Sequence, residues 1–390
     1  MSEFVVWFDS TETGAPVLNN AAGSLIGVLD ACLVTGFNTK AVQGIAIAGG
    51  IATVTCAGHG YSAVYSKDVR IEGAMPAAVN GRKQITVVNT NTFTFATTAS
   101  GAVTGTITAK RDPLGWTKEF TDTNTAVYKR SDVTATAIRL RVTDAAGTVA
   151  RVISVENPTD ANTYSQKAPA EGVVAGGYSW NKGSNSAAGK HWTLVGDSRL
   201  FYLVTQAGPA TFPFSNSAQY ASGVMAFGDL DSFKPGDAYG TFIAGEIYDT
   251  GGEGHGVPAN SIFSPGAVMP GNPGGLTLSR AYSQLGSAAI ANALGFSRSV
   301  SGQTGQFIFP SPVDSGYLVS AQVLATEIAP GGATVRGLIP GVVEILGAKA
   351  IEHFEVVENL VGLPGRKIVG VRTYAGGDAR GAFDITGPWR

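Results

Sequence analysis

The residues of this 390-residue chain whose types could do chemistry are few: four histidines, two cysteines and one tight Gly-Asp-Ser turn. Gly196-Asp197-Ser198 presents a hydroxyl that becomes a nucleophile only if a neighbouring base takes its proton. Such a base is most often a histidine oriented by a carboxylate. The last histidine, His353, lies in Ile351-Glu-His-Phe354 with no aspartate just before it. A metal site needs several ligands at short spacing. His59 follows Cys56 by three residues, but no second pair completes a site. Glu253 and His255 lie in a Gly-rich stretch that reads as a solvated loop, and His191 has no His or Cys near it. Asp160, Asp229, Asp231 and Asp249 lack the spacing of a calcium loop. The expectation is no catalytic residue, no metal site and no cofactor.

The Gly196-Asp197-Ser198 sequence resembles the nucleophile motif of GDSL-type ester hydrolases. That family carries the motif near its N-terminus, after the first strand of an α/β sheet. Here it lies mid-chain between two apolar runs, 191–195 and 200–204. Asp and Ser are ordinary turn residues there. Trp116, Trp180, Trp192 and the tyrosines suit either a glycan-binding face or a core, and their strand positions favour the core.

Composition bounds the elements around these residues. Charged residues make up only 14%, against about 25% in an average domain, and 52 residues are glycine. Many strands and tight turns fit this balance, as does a surface covered by neighbours. The net charge of −2 provides no basic footprint for nucleic acid. Cys32 and Cys56 suggest no disulfide framework. Met1-Ser-Glu-Phe-Val-Val-Trp7 lacks the basic and apolar regions of a secretory leader, and no apolar run is long enough for a membrane span.

Along the chain, Phe4-Val-Val-Trp-Phe8 reads as a strand. Residues 21–35 form the strongest helix pattern, with Leu25, Ile26, Leu29, Cys32 and Leu33 at helical spacing, Asn19 or Asn20 as cap and Gly36 as stop. Hairpins are expected from 137–142 with 148–155 and from 191–195 with 200–204. Strands are expected at 223–228, 239–244, 306–309, 317–323, 334–338, 367–374 and 382–385. Residues 250–275 read as a long Gly/Pro-rich connection, and 279–294 as a second helix weakened by Gly286 and its serines. The fold class is mainly β, of β-sandwich and β-barrel domains, with one or two short helices. The expected domains are a parent built from 1–43 and 110–250, an inserted small β-barrel at 44–109, and a C-terminal β-rich region at 251–390.

The insert shows alternation at Ile51-Ala-Thr-Val-Thr-Cys56, a break at Gly58-His59-Gly60, and a strand at Val69-Arg-Ile71 before Gly73. Val79-Asn80-Gly81, Val87-Val88 and Asn89-Thr-Asn91-Thr-Phe93-Thr-Phe95 follow. Five or six short strands are expected, with the His59 ring holding its turn through a backbone hydrogen bond. In order and type these pieces resemble the FCCH-type β-barrel of ubiquitin-activating enzymes, which recurs in tailed-phage virion proteins. Val79 stands where that pattern has leucine. The resemblance implies a structural or adhesive module, because a fold carries many functions.

The parent also resembles a group of tailed-phage and prophage virion proteins. Trp7-Phe8, Gly14-Ala-Pro16 with Leu18, Gly23-Ser-Leu-Ile26 and Leu29-Asp-Ala-Cys-Leu33 carry the likeness, with the C-terminal Trp389-Arg390. Ala126-Val-Tyr128 and Ser131-Asp132-Val133 keep that group's order but not its spacing. The resemblance implies a non-enzymatic virion component made in the host cytoplasm, placed in the tail at its tip, baseplate or fibre attachment. A receptor- or glycan-binding adhesin of the tail and a capsid decoration protein are the alternatives. The expected partners are other virion proteins, further copies of this chain in a symmetric array, and a host-surface glycan or receptor. Neither nucleic acid nor membrane insertion is expected. Trp389 and Arg390 are expected to be held in place.

Overall fold

The computed structural model describes residues 4–62, 68–183, 187–206, 222–246, 260–261, 264–265, 275–294, 313, 315–329, 332–345, 351, 355–371 and 381–390. Strand β1 (Val6–Asp9) leads through a turn to helix α1 (Ser24–Leu29), which continues as a π-helical segment, Asp30–Thr35. Of the residues at helical spacing, Leu25, Leu29, Cys32 and Leu33 are buried and Ile26 is half-buried, while Val28 is buried as well. The cap differs from expectation. Asp144, not Asn19 or Asn20, accepts the N–H groups of Leu25 (2.8 Å) and Ile26 (3.0 Å). The side chain of Asn19 instead accepts from Ala21.

The inserted module follows. It has eight strands rather than five or six: β2 (Phe37–Ala41), β3 (Gly44–Ala48), β4 (Ile51–Thr55), β5 (Asp68–Glu72), β6 (Gly81–Gln84), β7 (Thr86–Asn89), β8 (Thr92–Ala96) and β9 (Thr108–Arg111). They form two four-stranded sheets, β2-β9-β5-β6 and β3-β4-β8-β7. Both close on one core that includes Ile45, Val54, Ile71, Val79, Phe93 and Phe95. Its sheets therefore begin and end slightly outside 44–109, where Phe37 faces Arg111 across the β2–β9 pair.

The parent resumes with a six-stranded sheet: β10 (Thr117–Asp122), β11 (Thr125–Lys129), β12 (Arg139–Thr143), β13 (Val149–Glu156), β14 (Gln166–Ala168) and β15 (Tyr178–Asn181). Then come β16 (Trp192–Gly196), β17 (Leu200–Gln206), β18 (Ser222–Asp229), β19 (Asp231–Ser232) and β20 (Thr241–Ala244). Both expected hairpins are present, as β12 with β13 and β16 with β17.

A small ladder joins β21 (Asn260–Ser261) to β22 (Ser264–Pro265). The rest of the Gly/Pro-rich 250–275 stretch, apart from Gly275 itself, lies outside the described residues, as do the strand expected at 306–309, Glu253, His255, Asp249 and His353. The second helix expected at 279–294 does not form. The chain there leaves β23 (Leu276–Leu278), turns through Gln284 and Gly286 with φ of 63° and 81°, and enters β24 (Ala289–Leu294). Ala289, Ala291 and Ala293 are all buried at period two, so sheet packing overrides the helical preference of alanine. The chain ends through β25 (Tyr317–Ser320), β26 (Leu324–Ala329), β27 (Gly332–Leu338), β28 (Val342–Ile345), β29 (Val356–Val357), β30 (Leu360–Val361), β31 (Ile368–Val371) and β32 (Gly381–Asp384).

A ten-stranded antiparallel sheet, β1-β16-β17-β18-β20-β23-β24-β26-β27-β19, organises the parent and takes strands from both sides of residue 250. Both faces of its first five strands, β1-β16-β17-β18-β20, are covered. Phe201 and Leu203 point into a core shared with α1 and the six-stranded sheet. Their neighbours Tyr202 and Val204 point the other way, into a core shared with Val342, Val369 and Phe383 of the C-terminal sheet β29-β31-β32-β28-β25-β30. A strand covered on both faces has no polar side, which is why Leu200-Phe-Tyr-Leu-Val204 is apolar throughout.

Candidate functional site

The Gly196-Asp197-Ser198 turn joins β16 to β17. One Asp197 carboxylate oxygen accepts from the backbone N–H groups of Arg199 and Leu200, both at 2.7 Å. The other accepts from Arg390 at 2.7 Å. Burial pushes the Asp197 carboxyl above its ordinary range, against the opposing charge of Arg390. Ser198 donates to Asp132 at 2.9 Å. Burial works to raise the Asp132 carboxyl, but hydrogen bonds from Thr134 and Ser198 and the charge of Arg199 outweigh it and leave it below the usual range. A carboxylate so held is a weak general base. The two backbone bonds to Asp197 are those of a tight hairpin connection, while Asp132 and Arg390 reach the turn from distant parts of the chain.

What the turn does assemble is a buried polar junction. Asp229, at the end of β18, is 1% exposed. It accepts from Arg130 at 2.5 Å, from Thr241 at 2.8 Å, and from both the N–H and the hydroxyl of Thr136 at 3.0 and 3.1 Å. Arg199 reaches the same carboxylate at 3.4 Å. Arg390 spans the junction, donating to Asp197 and to the Asp229 carbonyl at 2.7 Å. Trp389 donates to the Asp384 carbonyl at 2.9 Å and lies 5.6 Å from the Tyr202 ring. The C-terminal pair is therefore held, as expected. Sequence reasoning missed the central role of Asp229 because its partners lie up to 161 residues away.

Trp116, Trp180 and Trp192 are core residues and form no glycan-binding face. Each is at most 3% exposed, and each indole N–H is bonded to a backbone carbonyl, of Asp197, Ala244 and Pro16 respectively. His191 bonds to Ser10 at 3.1 Å. Asp160 caps its own turn through Asn162 and Thr163, and Asp231 lies on β19. Among the described residues no three His, Cys, Asp or Glu side chains converge as a metal site would require. Among them, too, no helix is long and apolar enough to cross a membrane. A cleft of about 120 Å³ beside Trp389 is walled by Leu338, Ile339 and the Arg366–Asp384 ion pair (2.9 Å).

His59 behaves as expected. Its Nδ1 accepts from the Tyr61 N–H at 3.0 Å, which fixes the proton on Nε2, and Nε2 donates to the Asn89 carbonyl at 2.8 Å. The ring stacks on Tyr61 and meets the edge of Phe93. Cys56 turns instead to the Ala41 carbonyl. His59→Ala should cost the module about 2–3 kcal/mol, from two lost hydrogen bonds and the cavity left by the ring. Urea unfolding followed at the module's amides measures this. A change below about 0.5 kcal/mol, the scale of an ordinary surface substitution, would mean that the ring does not hold the turn.

The module is attached to the parent by more than its two strands. Asp112, fully buried, takes Arg70 at 2.6 Å and also Arg82, whose guanidinium lies over the Phe4 ring. Arg111 binds Glu12 at 2.6 Å, the Trp7 carbonyl at 2.9 Å and the Asp68 carbonyl at 2.7 Å. A Cβ on Gly60 would come within 2.6 Å of Thr13, so the Gly58-His59-Gly60 turn sits directly on the parent's first loop. The module's direction is therefore set by a braced joint. Scanned against models of known families the chain gives no match, and a search of curated proteins finds none that matches.

Proposed function

We propose that this chain is a structural component of a tailed-phage virion, in the tail at its tip, baseplate or fibre attachment, working through protein–protein contacts. One observation carries the reading: a self-contained β-module with its own core is braced on a parent whose central strands β1-β16-β17-β18-β20 are covered on both faces. Such a body suits mounting and display. The sequence resemblance and the 14% charge support the same reading. So does the engagement of Ser198 in a turn, which favours a protein without catalytic activity. Particles of the encoding phage, purified and disassembled, should contain this chain at a fixed copy number. Its absence from purified particles would overturn the proposal, and a position on the head would assign it to capsid decoration.

A second reading makes the module the exposed head of an adhesin. Phe37 and Arg111 face each other in an antiparallel pair, so both ends of the module return to one place. Removing residues 38–110 and joining the ends through a two-residue turn should leave the parent folded, because facing residues of such a pair lie only about 5 Å apart. Particles carrying this deletion should assemble at normal yield and adsorb poorly. Normal adsorption would leave the module without a role in attachment.

A further inference from the structure

The module separates its charge. Residues 41–66 and 85–109 contain no Asp, Glu, Lys or Arg. Sheet β3-β4-β8-β7 is therefore neutral, whereas β2-β9-β5-β6 carries Lys40, Arg70, Glu72, Arg82 and Arg111. Side chains alternate along a strand, so Ile45, Val54, Phe93 and Phe95 fill the core and their neighbours face out. The register lines those neighbours up. Thr53 is opposite Thr94, and Thr94 is opposite Thr86. In the next rank Thr55 is opposite Thr92, and Thr92 is opposite Asn89. Ile51 supplies an exposed apolar spot beyond the first rank.

We propose that this outer face binds a neutral glycan chain. The inference rests on the adhesin reading above and names its ligand class. Neighbouring hydroxyls across the ranks are spaced by the strand separation, about 4.8 Å, and those along a strand by about 6.7 Å. Each can donate and accept, as a sugar hydroxyl can. Threonine is stiff at χ1, so the array is ordered before a ligand arrives. An anionic glycan would meet no cation on this sheet. Size decides against a protein occupant. Four strands span about 14 Å and five residues about 17 Å, roughly 250 Å² in all, whereas a stable protein interface needs about 800 Å² per partner. A face of that size matches a few rings of an extended polysaccharide.

The test is native electrophoresis of the full chain through gels containing dextran, hydroxyethyl cellulose, laminarin or galactomannan, with polygalacturonate and heparin as charged counterparts. Retardation is expected in at least one neutral gel. It should weaken about tenfold or more in a Thr53→Val/Thr94→Val variant, since each valine keeps the strand shape and removes only a hydroxyl. Circular dichroism and an unchanged unfolding midpoint establish that this variant is folded. Thr53→Lys is the second variant, and it should abolish retardation. No retardation in any neutral gel, retardation only in the charged gels, or retardation that survives both variants would overturn the proposal. A concentration-dependent dimer lost in Thr94→Lys would assign the face to a second copy and overturn it equally. None of these outcomes alters the adsorption of particles that lack residues 38–110, so the adhesin reading stands or falls separately.

Discussion

Replacing Asp229 by alanine should destabilise the parent by about 3–5 kcal/mol, because it leaves a buried arginine without its counter-charge. Arg130 is 3% exposed and lies over the rings of Phe227 and Trp116, at 5.0 and 5.9 Å. Burial pushes its pKa down, and Asp229 is the main influence opposing that push. Without the carboxylate, Arg130 retains only neutral acceptors such as the Ile138 carbonyl, at 2.6 Å. Thr136 and Thr241 lose their acceptor in the same step. The loss is expected as a lower denaturant midpoint at unchanged slope, which separates a stability change from a change in the unfolded chain. Asp229→Ala with Arg130→Met should recover part of it, since the stranded charge is then gone. A cost below about 1 kcal/mol would place Asp229 in the class of surface ion pairs.

What was legible in the sequence was local. The alternation of Ile51–Thr55, the turn chemistry near Asp144 and the spacing from Leu25 to Leu33 each rest on neighbours a few residues apart, and each element formed. Residues 279–294 misled for a physical reason. Alanine has the strongest intrinsic helix preference, and nothing nearby reveals that Ala291 lies under a packed sheet. The first edge of the module is hidden for a similar reason. Phe37–Ala41 becomes a strand because it pairs with Thr108–Arg111 across about seventy residues of chain. Of the candidate site residues, His59 is legible as a turn element because its Tyr61 partner lies two residues on, whereas the bond from Ser198 to Asp132 spans 66 residues and is not visible locally. The braced joint at Asp112 was not visible, because an aspartate's burial depends on arginines 30 and 42 residues away.

The cap of α1 shows the same dependence, and a second large effect follows from it. Asp144 and Lys182 are both fully buried and directly paired. Lys182 also donates to the carbonyls of Ala21 and Ala145, each at 2.7 Å, so its ammonium has three acceptors for three protons. The second oxygen of Asp144 accepts from Leu25 and Ile26, doing for the helix what an N-cap side chain does from 119 residues away. Asp144→Ala should therefore cost about 4–6 kcal/mol, combining a stranded buried cation with a lost cap of about 1 kcal/mol. Lys182→Met should cost less, because the Asp144 carboxylate keeps two N–H donors at a helix N-terminus, where negative charge is favoured. The double variant should be more stable than Asp144→Ala alone, since removing both charges leaves only the cap and a packing defect. Chemical denaturation of the three variants reads the order, and amide exchange across 24–35 reads the helix itself. If the double variant loses the sum of the two single losses, Asp144 and Lys182 do not act as a pair, and the helix is held by the packing of Leu25, Leu29 and Leu33 alone.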